Sequence, residues 1–244
     1  MSDRYLCSAC KDQGWIPDPK DYKIHIECAH CTRPKRYEHE YTQANLPVFL
    51  HDIEWGDIEK TPERKKLIKG ARLWLNSAYA MHRPDGNFKS RGRASMVARK
   101  NFLIHGPGGT GKTMFATLMA KSLIRRGVKV LRGDLSRYRD AFFNKPDAET
   151  AVEDAEFRRS VRDMQVLILE FGEEPDHRYS GPKLVELLKA RMEKGFCTIL
   201  VSSINPDRII SKYGGGFCKM TELARLFTDS KVVMSFGLPA VVQD

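Results

Sequence analysis

The stretch "NFLIHGPGGTGKTMFATLMAKSLIRRG", Asn101 to Gly127, constrains this chain more than any other. An apolar run, Phe102 to Ile104, leads into Gly106-Pro107-Gly108-Gly109-Thr110-Gly111-Lys112-Thr113-Met114. An amphipathic segment with Phe115, Leu118, Met119 and Leu123 follows, so strand, glycine loop and helix stand in the order a phosphate loop requires. Glycines let backbone N–H groups converge on a β-phosphate at a helix N-terminus, where the helix dipole favours negative charge. Lys112 is expected to reach the β- and γ-phosphates, and the Thr113 hydroxyl to hold Mg²⁺. The residues from Gly106 to Met114 form the expected nucleotide cradle.

After the loop the pattern alternates. "VKVLRG", "QVLILE", "CTILVSS" and "KVVMSF" read as strands; "LSRYRDAFFN", "AVEDAEFRRSVRD" and "KLVELLKARMEKG" read as helices. Strands separated by helices predict an α/β fold, with a mostly parallel sheet covered on both faces. Ligands gather at the carboxyl ends of such strands, where Glu170 and Ser203 both fall. Glu170 is placed to organise magnesium, but the position after it, where ATP-hydrolysing enzymes keep a second acid, is Phe171. Phe171 cannot polarise water, so slow or partner-dependent hydrolysis is expected unless Glu173 or Glu174 folds back.

Six cysteines are present, four of them in two pairs near the start: Cys7-x-x-Cys10 and Cys28-x-x-Cys31. Two residues between partners let a tight turn aim both sulfurs at one ion, and the interval between the pairs suits a four-thiolate Zn²⁺ site. "DYKIHIEC" between them alternates as a ribbon strand does. His25 and His30 are alternative ligands, and disulfides a competing reading that suits this cytosolic-looking chain poorly. Cys197 reads as a core residue in a strand. The expected division is a zinc ribbon over 1–43, a linker and helical approach over 44–100, and the nucleotide-binding core over 101–244.

The net charge is +10, and from Lys89 to Arg139 there are 13 Lys or Arg against one acid, Asp134. A polyanion partner explains that concentration better than a solvated surface does. Arg132, Arg137, Tyr138 and Arg139 combine charge with an aromatic face, as a sequence-tolerant single-strand surface would. No apolar run is long enough to span a bilayer and no secretory leader is evident, so no membrane role and a cytoplasmic location are expected.

"FLIHGPGGTGKT", the acid-ended "VLILE", "TILVSSINPDRI" and "ELARLF", taken in that order, resemble the AAA+ helicase loaders of the DnaC/DnaI type and the related IstB-type transposition ATPases. The resemblance runs from about Ala44 to the C-terminus, and the cysteine-paired front is similar to loader-type members. It implies an AAA+ domain acting as a homo-oligomer with ATP at subunit boundaries, a hexameric replicative helicase and single-stranded DNA as partners, and Arg225 as the finger reaching a neighbour's γ-phosphate. Against the family pattern, Glu170-Phe171 replaces a pair of acids, and Ser203 replaces the usual sensor Asn, with Asn205 two residues on. The altered acid pair points to a specialised, phage-encoded version in a bacterial cell, in which ATP acts mainly as an assembly switch. A transposition helper acting on duplex DNA and a non-hydrolysing adaptor are the competing readings.

Overall fold

The computed structural model describes residues 15–19, 21–27, 32–58, 61–81, 101–143, 148–172, 177–213 and 232–235. Cys7, Cys10, Cys28, Cys31, Arg225, Glu173 and Glu174 lie outside them. Between the two cysteine pairs, β1 (Trp15–Asp18) and β2 (Asp21–Glu27) form an antiparallel hairpin in which Trp15 faces Glu27 and Ile16 faces Ile26. The alternating segment is thus a strand, as expected.

Five parallel strands form the core sheet: β3 (Phe102–His105), β4 (Val130–Asp134), β5 (Val166–Phe171), β6 (Cys197–Ser202) and β7 (Val232–Ser235), in the order β4-β5-β6-β3-β7. Their near-continuous apolar runs follow from burial on both faces. Successive residues divide between those faces as the pleat requires. Phe102, Ile104, Val166, Ile168, Ile199 and Val201 enter one hydrophobic cluster; Leu103, Leu167, Leu169, Phe171 and Leu200 enter the other.

The first cluster is covered by α3 (Lys112–Ile124), with Phe115, Leu118, Met119 and Leu123 buried, and by α2 (Pro62–Met81) through Trp74, Leu75 and Ala78. The second is covered by α4 (Leu135–Phe143), α5 (Ala148–Asp163), α6 (His177–Glu193) and α7 (Pro206–Tyr213). Gly181 of α6 lies so close to α7 that a Cβ there would clash with the Tyr213 carbonyl oxygen. Cys197 is buried in β6, and burial pushes its thiol pKa up to about 12, so it is a core residue as its sequence setting implied.

The end of the segment expected to be a zinc ribbon and the start of the expected linker and helical approach both share the core of the sheet. Tyr41 at the end of α1 (Thr32–Gln43), Ala44 and Leu46 belong to the first cluster. The Ala44 carbonyl accepts the Arg132 backbone N–H at 2.8 Å, and the Asn45 amide donates to the Arg132 carbonyl at 3.1 Å. These bonds satisfy part of the exposed edge of β4. Lys121, only 1% exposed, donates to the carbonyls of His51 and Ile53 and pairs with Glu54, fixing the same segment to α3.

Candidate nucleotide site

At the end of β3 the chain turns through Gly106, Gly109 and Gly111 with φ of 149°, 73° and 89°, values that a side chain would resist. The turn feeds α3 directly. No side-chain cap is seen at its N-terminus among the described residues, and the N-terminus of a helix favours an anion. Gly106 N–H bonds the Ser202 carbonyl at 3.2 Å, which holds the loop over β6. Thr110 Oγ1 donates to the Pro107 carbonyl at 2.9 Å, and Lys112 Nζ donates to the same oxygen. Lys112 is largely buried; burial of His105, aided by the Lys112 charge, pushes the His105 pKa down, which favours a neutral imidazole beside the loop.

A cavity of about 410 Å³ opens beside this loop, at the carboxyl ends of β4, β5 and β6. Its wall brings together Lys112, Thr113, Glu170 and Ser203, four residues expected from the sequence to meet a nucleotide. The hydroxyl of Thr113 and the carboxylate of Glu170 on one wall are a hard-oxygen donor set that fits magnesium. Bound there, the ion would neutralise phosphate charge; Thr113 and Glu170 are the residues that would hold it.

Glu170 is already engaged. Arg132 Nε and Nη2 reach its two carboxylate oxygens at 3.1 and 2.9 Å, both side chains being about a quarter exposed. β4 and β5 are neighbours, with Asp134 opposite Glu170 and Arg132 opposite Ile168, so Arg132 reaches diagonally along one face of the sheet. Magnesium would therefore compete with a guanidinium for Glu170. Arg132→Gln is expected to lower the Mg²⁺ concentration that half-saturates ATP binding by about fivefold, the equivalent of ~1 kcal/mol for a partly solvated pair. Calorimetric titrations at stepped Mg²⁺ check this, and an unchanged requirement would show that the pair does not oppose the metal.

Phe171 sits on the opposite face of β5, 5% exposed, with its ring edge-on to Tyr213 at 5.7 Å between centroids. It is a packing residue. Gly172, with φ of 122°, lies where a Cβ would come 2.9 Å from Ser202 Oγ and 3.0 Å from Ser203 Oγ. Its carbonyl accepts a bond from Lys212 Nζ at 2.7 Å, which ties the end of β5 to α7. Asn205, two residues on, caps α7, its Oδ1 accepting the Arg208 N–H at 2.8 Å.

Of the four residues of the expected DNA surface, one is buried, two are paired with carboxylates and one is exposed. Tyr138 is 0% exposed and stacks edge-on against Phe142 at 5.2 Å, so its ring offers no face to a base. Burial pushes its phenol pKa up to about 12. Arg132 is held by Glu170, and Arg139 is paired with Asp140. Arg137 is exposed, with its guanidinium 4.3 Å from the centre of the Phe157 ring. Asp134 and Ser136, which also line the cavity, were missed by sequence reasoning. The signal was available: Asp134 ends a strand whose carboxyl end should gather ligands as that of β5 does.

With this geometry in view, residues 89–235 match the family described as IstB-like ATP binding protein, well over half of the chain. The chain belongs to that family. Among solved structures it is similar to DnaI, at 18% identity and a TM-score of 0.55, covering 78% of this chain and 92% of that one. It is also similar to the DnaC helicase loader, at 17% identity and 0.53, covering 82% and 98%. AMPPCP-bound DnaA from Aquifex aeolicus follows at 14% and 0.51, covering 75% of this chain and 50% of that one. At these identities the likeness shows the fold, that of an IstB-like AAA+ ATP-binding domain. No curated protein matches the chain. Among the described residues of this IstB-like protein, no helix is long and apolar enough to cross a membrane.

Proposed function

We propose that this IstB-like protein is an ATP-dependent loader of a hexameric replicative DNA helicase, in which Mg-ATP acts mainly as an assembly switch. The observation that carries the reading is the pairing of a complete phosphate cradle with a disarmed hydrolytic side. The glycine turn and the uncapped N-terminus of α3 would receive the phosphates, with Lys112 on the β- and γ-phosphates. Thr113 and Glu170 would hold the magnesium and Ser203 would sense the γ-phosphate, while Phe171 brings no acid and Arg132 restrains Glu170. A site of this kind retains its ligand for longer than it takes to assemble a complex.

The similar DnaC structure is that of a helicase loader, which favours the same role here. In this reading Cys7, Cys10, Cys28 and Cys31 bind zinc in a ribbon that grips the helicase, Arg225 reaches the ATP of a neighbouring copy, and single-stranded DNA follows the basic window past Arg137. Light scattering of the protein mixed with a hexameric replicative helicase, with and without ATP, tests it. The expected result is an ATP-strengthened complex of defined mass that is lost in the Cys7→Ser, Cys10→Ser double variant. No complex under either condition, with tight binding to duplex DNA instead, would replace the loader by a transposition helper. A complex supported equally by a non-hydrolysable ATP analogue with no turnover at all would reduce the protein to an adaptor.

A further inference from the structure

Two carboxylates line the nucleotide cavity among the described residues, Asp134 and Glu170, and they are engaged differently. Both oxygens of Glu170 receive the Arg132 guanidinium. Asp134 stands beside it as its ladder partner across β4 and β5, and its side chain is exposed. One oxygen, Oδ1, accepts the Arg137 backbone N–H at 2.8 Å and caps the first turn of α4. The cap fixes where the carboxylate sits and leaves its second oxygen for another donor. At position 171, the cavity wall carries phenylalanine.

We propose that Asp134 receives and orients the attacking water, from the adjacent strand, in place of an acid at position 171. The inference rests on the nucleotide reading above and concerns how the same site completes its slow hydrolysis. In the step, the water oxygen bonds to the γ-phosphorus as the bond from that phosphorus to the β–γ bridging oxygen breaks. ADP leaves with the electron pair; one water proton stays on the inorganic phosphate and the other passes to solvent. Asp134 accepts a hydrogen bond from the water and so aims the water's lone pair at the phosphorus. A charged acceptor strengthens that bond, and an acceptor already held by a helix cap needs no reorganisation when ATP arrives. Turnover is then modest because this carboxylate is shared with the cap, and Arg132 restrains the other.

Asp134→Asn separates this role from the structural one. Asparagine caps a helix as well as aspartate does, so its carbonyl keeps the bond to Arg137 while an NH₂ donor replaces the second acceptor. Thermal denaturation and calorimetry with Mg-ATP come first, and both are expected to match the wild type. Single-turnover hydrolysis is expected to fall about tenfold or more, the scale of one oriented hydrogen bond to a charged acceptor. Binding of ADP with aluminium fluoride, which imitates the phosphoryl group under attack, is expected to weaken in parallel while binding of ADP alone is unchanged. If Asp134→Asn does not fold, Asp134→Ser, which retains a capping oxygen, carries the same comparison. Failure of the wild type to bind Mg-ATP would remove the nucleotide reading itself. Intact binding with equal hydrolysis in wild type and variant, or with no hydrolysis in either, overturns the role of Asp134.

Discussion

Lys112→Ala is expected to lower affinity for Mg-ATP by about 100-fold, because it removes charge-assisted bonds to two phosphate groups at roughly 1.5 kcal/mol each. The lysine is the first residue of α3 and largely buried at the cavity wall, where water competes weakly with a phosphate for its ammonium. Its present bond to the Pro107 carbonyl lies within the same loop, so the ammonium can exchange that oxygen for a phosphate one without moving the backbone. Alanine is the best helix former, and the glycines that set the turn remain, so the thermal midpoint should change little. Titration with a fluorescent ATP analogue measures the loss. A fall of less than threefold would mean that the cradle is held by backbone N–H groups alone, or that ATP binds elsewhere.

The nucleotide cradle was legible in sequence because its information is local. Glycines occupy the positive-φ positions, and a strand and a helix flank them within a few residues. The sheet was legible for a similar reason, since runs such as Val166 to Leu169 can only be buried on both faces. What was not legible depended on neighbours distant in the chain. Tyr138 was read through the arginines beside it in sequence, yet it shares a helix face with Leu135, Ala141 and Phe142, the residues that turn α4 toward the sheet. The 3.6-residue period carries that fact, and charge counting obscured it. The pairing of Arg132 with Glu170 could be foreseen only by knowing that β4 lies beside β5 and in which register. Asp134 was hidden by the same counting, as one acid in a basic window, although its place at a strand end is what matters.

Arg191→Met is expected to destabilise the fold by about 3 kcal/mol, which at a typical slope for a chain this size moves the urea midpoint down by roughly 1 M. Arg191 is 0% exposed, and its guanidinium bonds the carbonyls of Val161, Met164 and Cys197 and the hydroxyl of Thr198. Burial pushes its pKa down to about 10, so it remains protonated at neutral pH. Helix α5 ends at Asp163 and β5 begins at Val166, and neither Met164 nor Gln165 between them is a glycine that could cap the helix. Arg191 therefore satisfies from α6 the carbonyls that the end of α5 leaves open, and it places a cation at the negative end of that helix dipole. Methionine would recover the desolvation cost of the cation, an effect that makes some buried charges dispensable. Here the partners are fixed main-chain oxygens that cannot leave with the charge, so stranding three of them outweighs the recovery. Arg191→Lys should fall between the two, because a point-like ammonium cannot match the spread of the guanidinium fork. An unchanged midpoint in Arg191→Met would show that water enters to satisfy those oxygens. Loss of these bonds would also loosen the start of β5, the strand that carries Glu170 to the cavity wall.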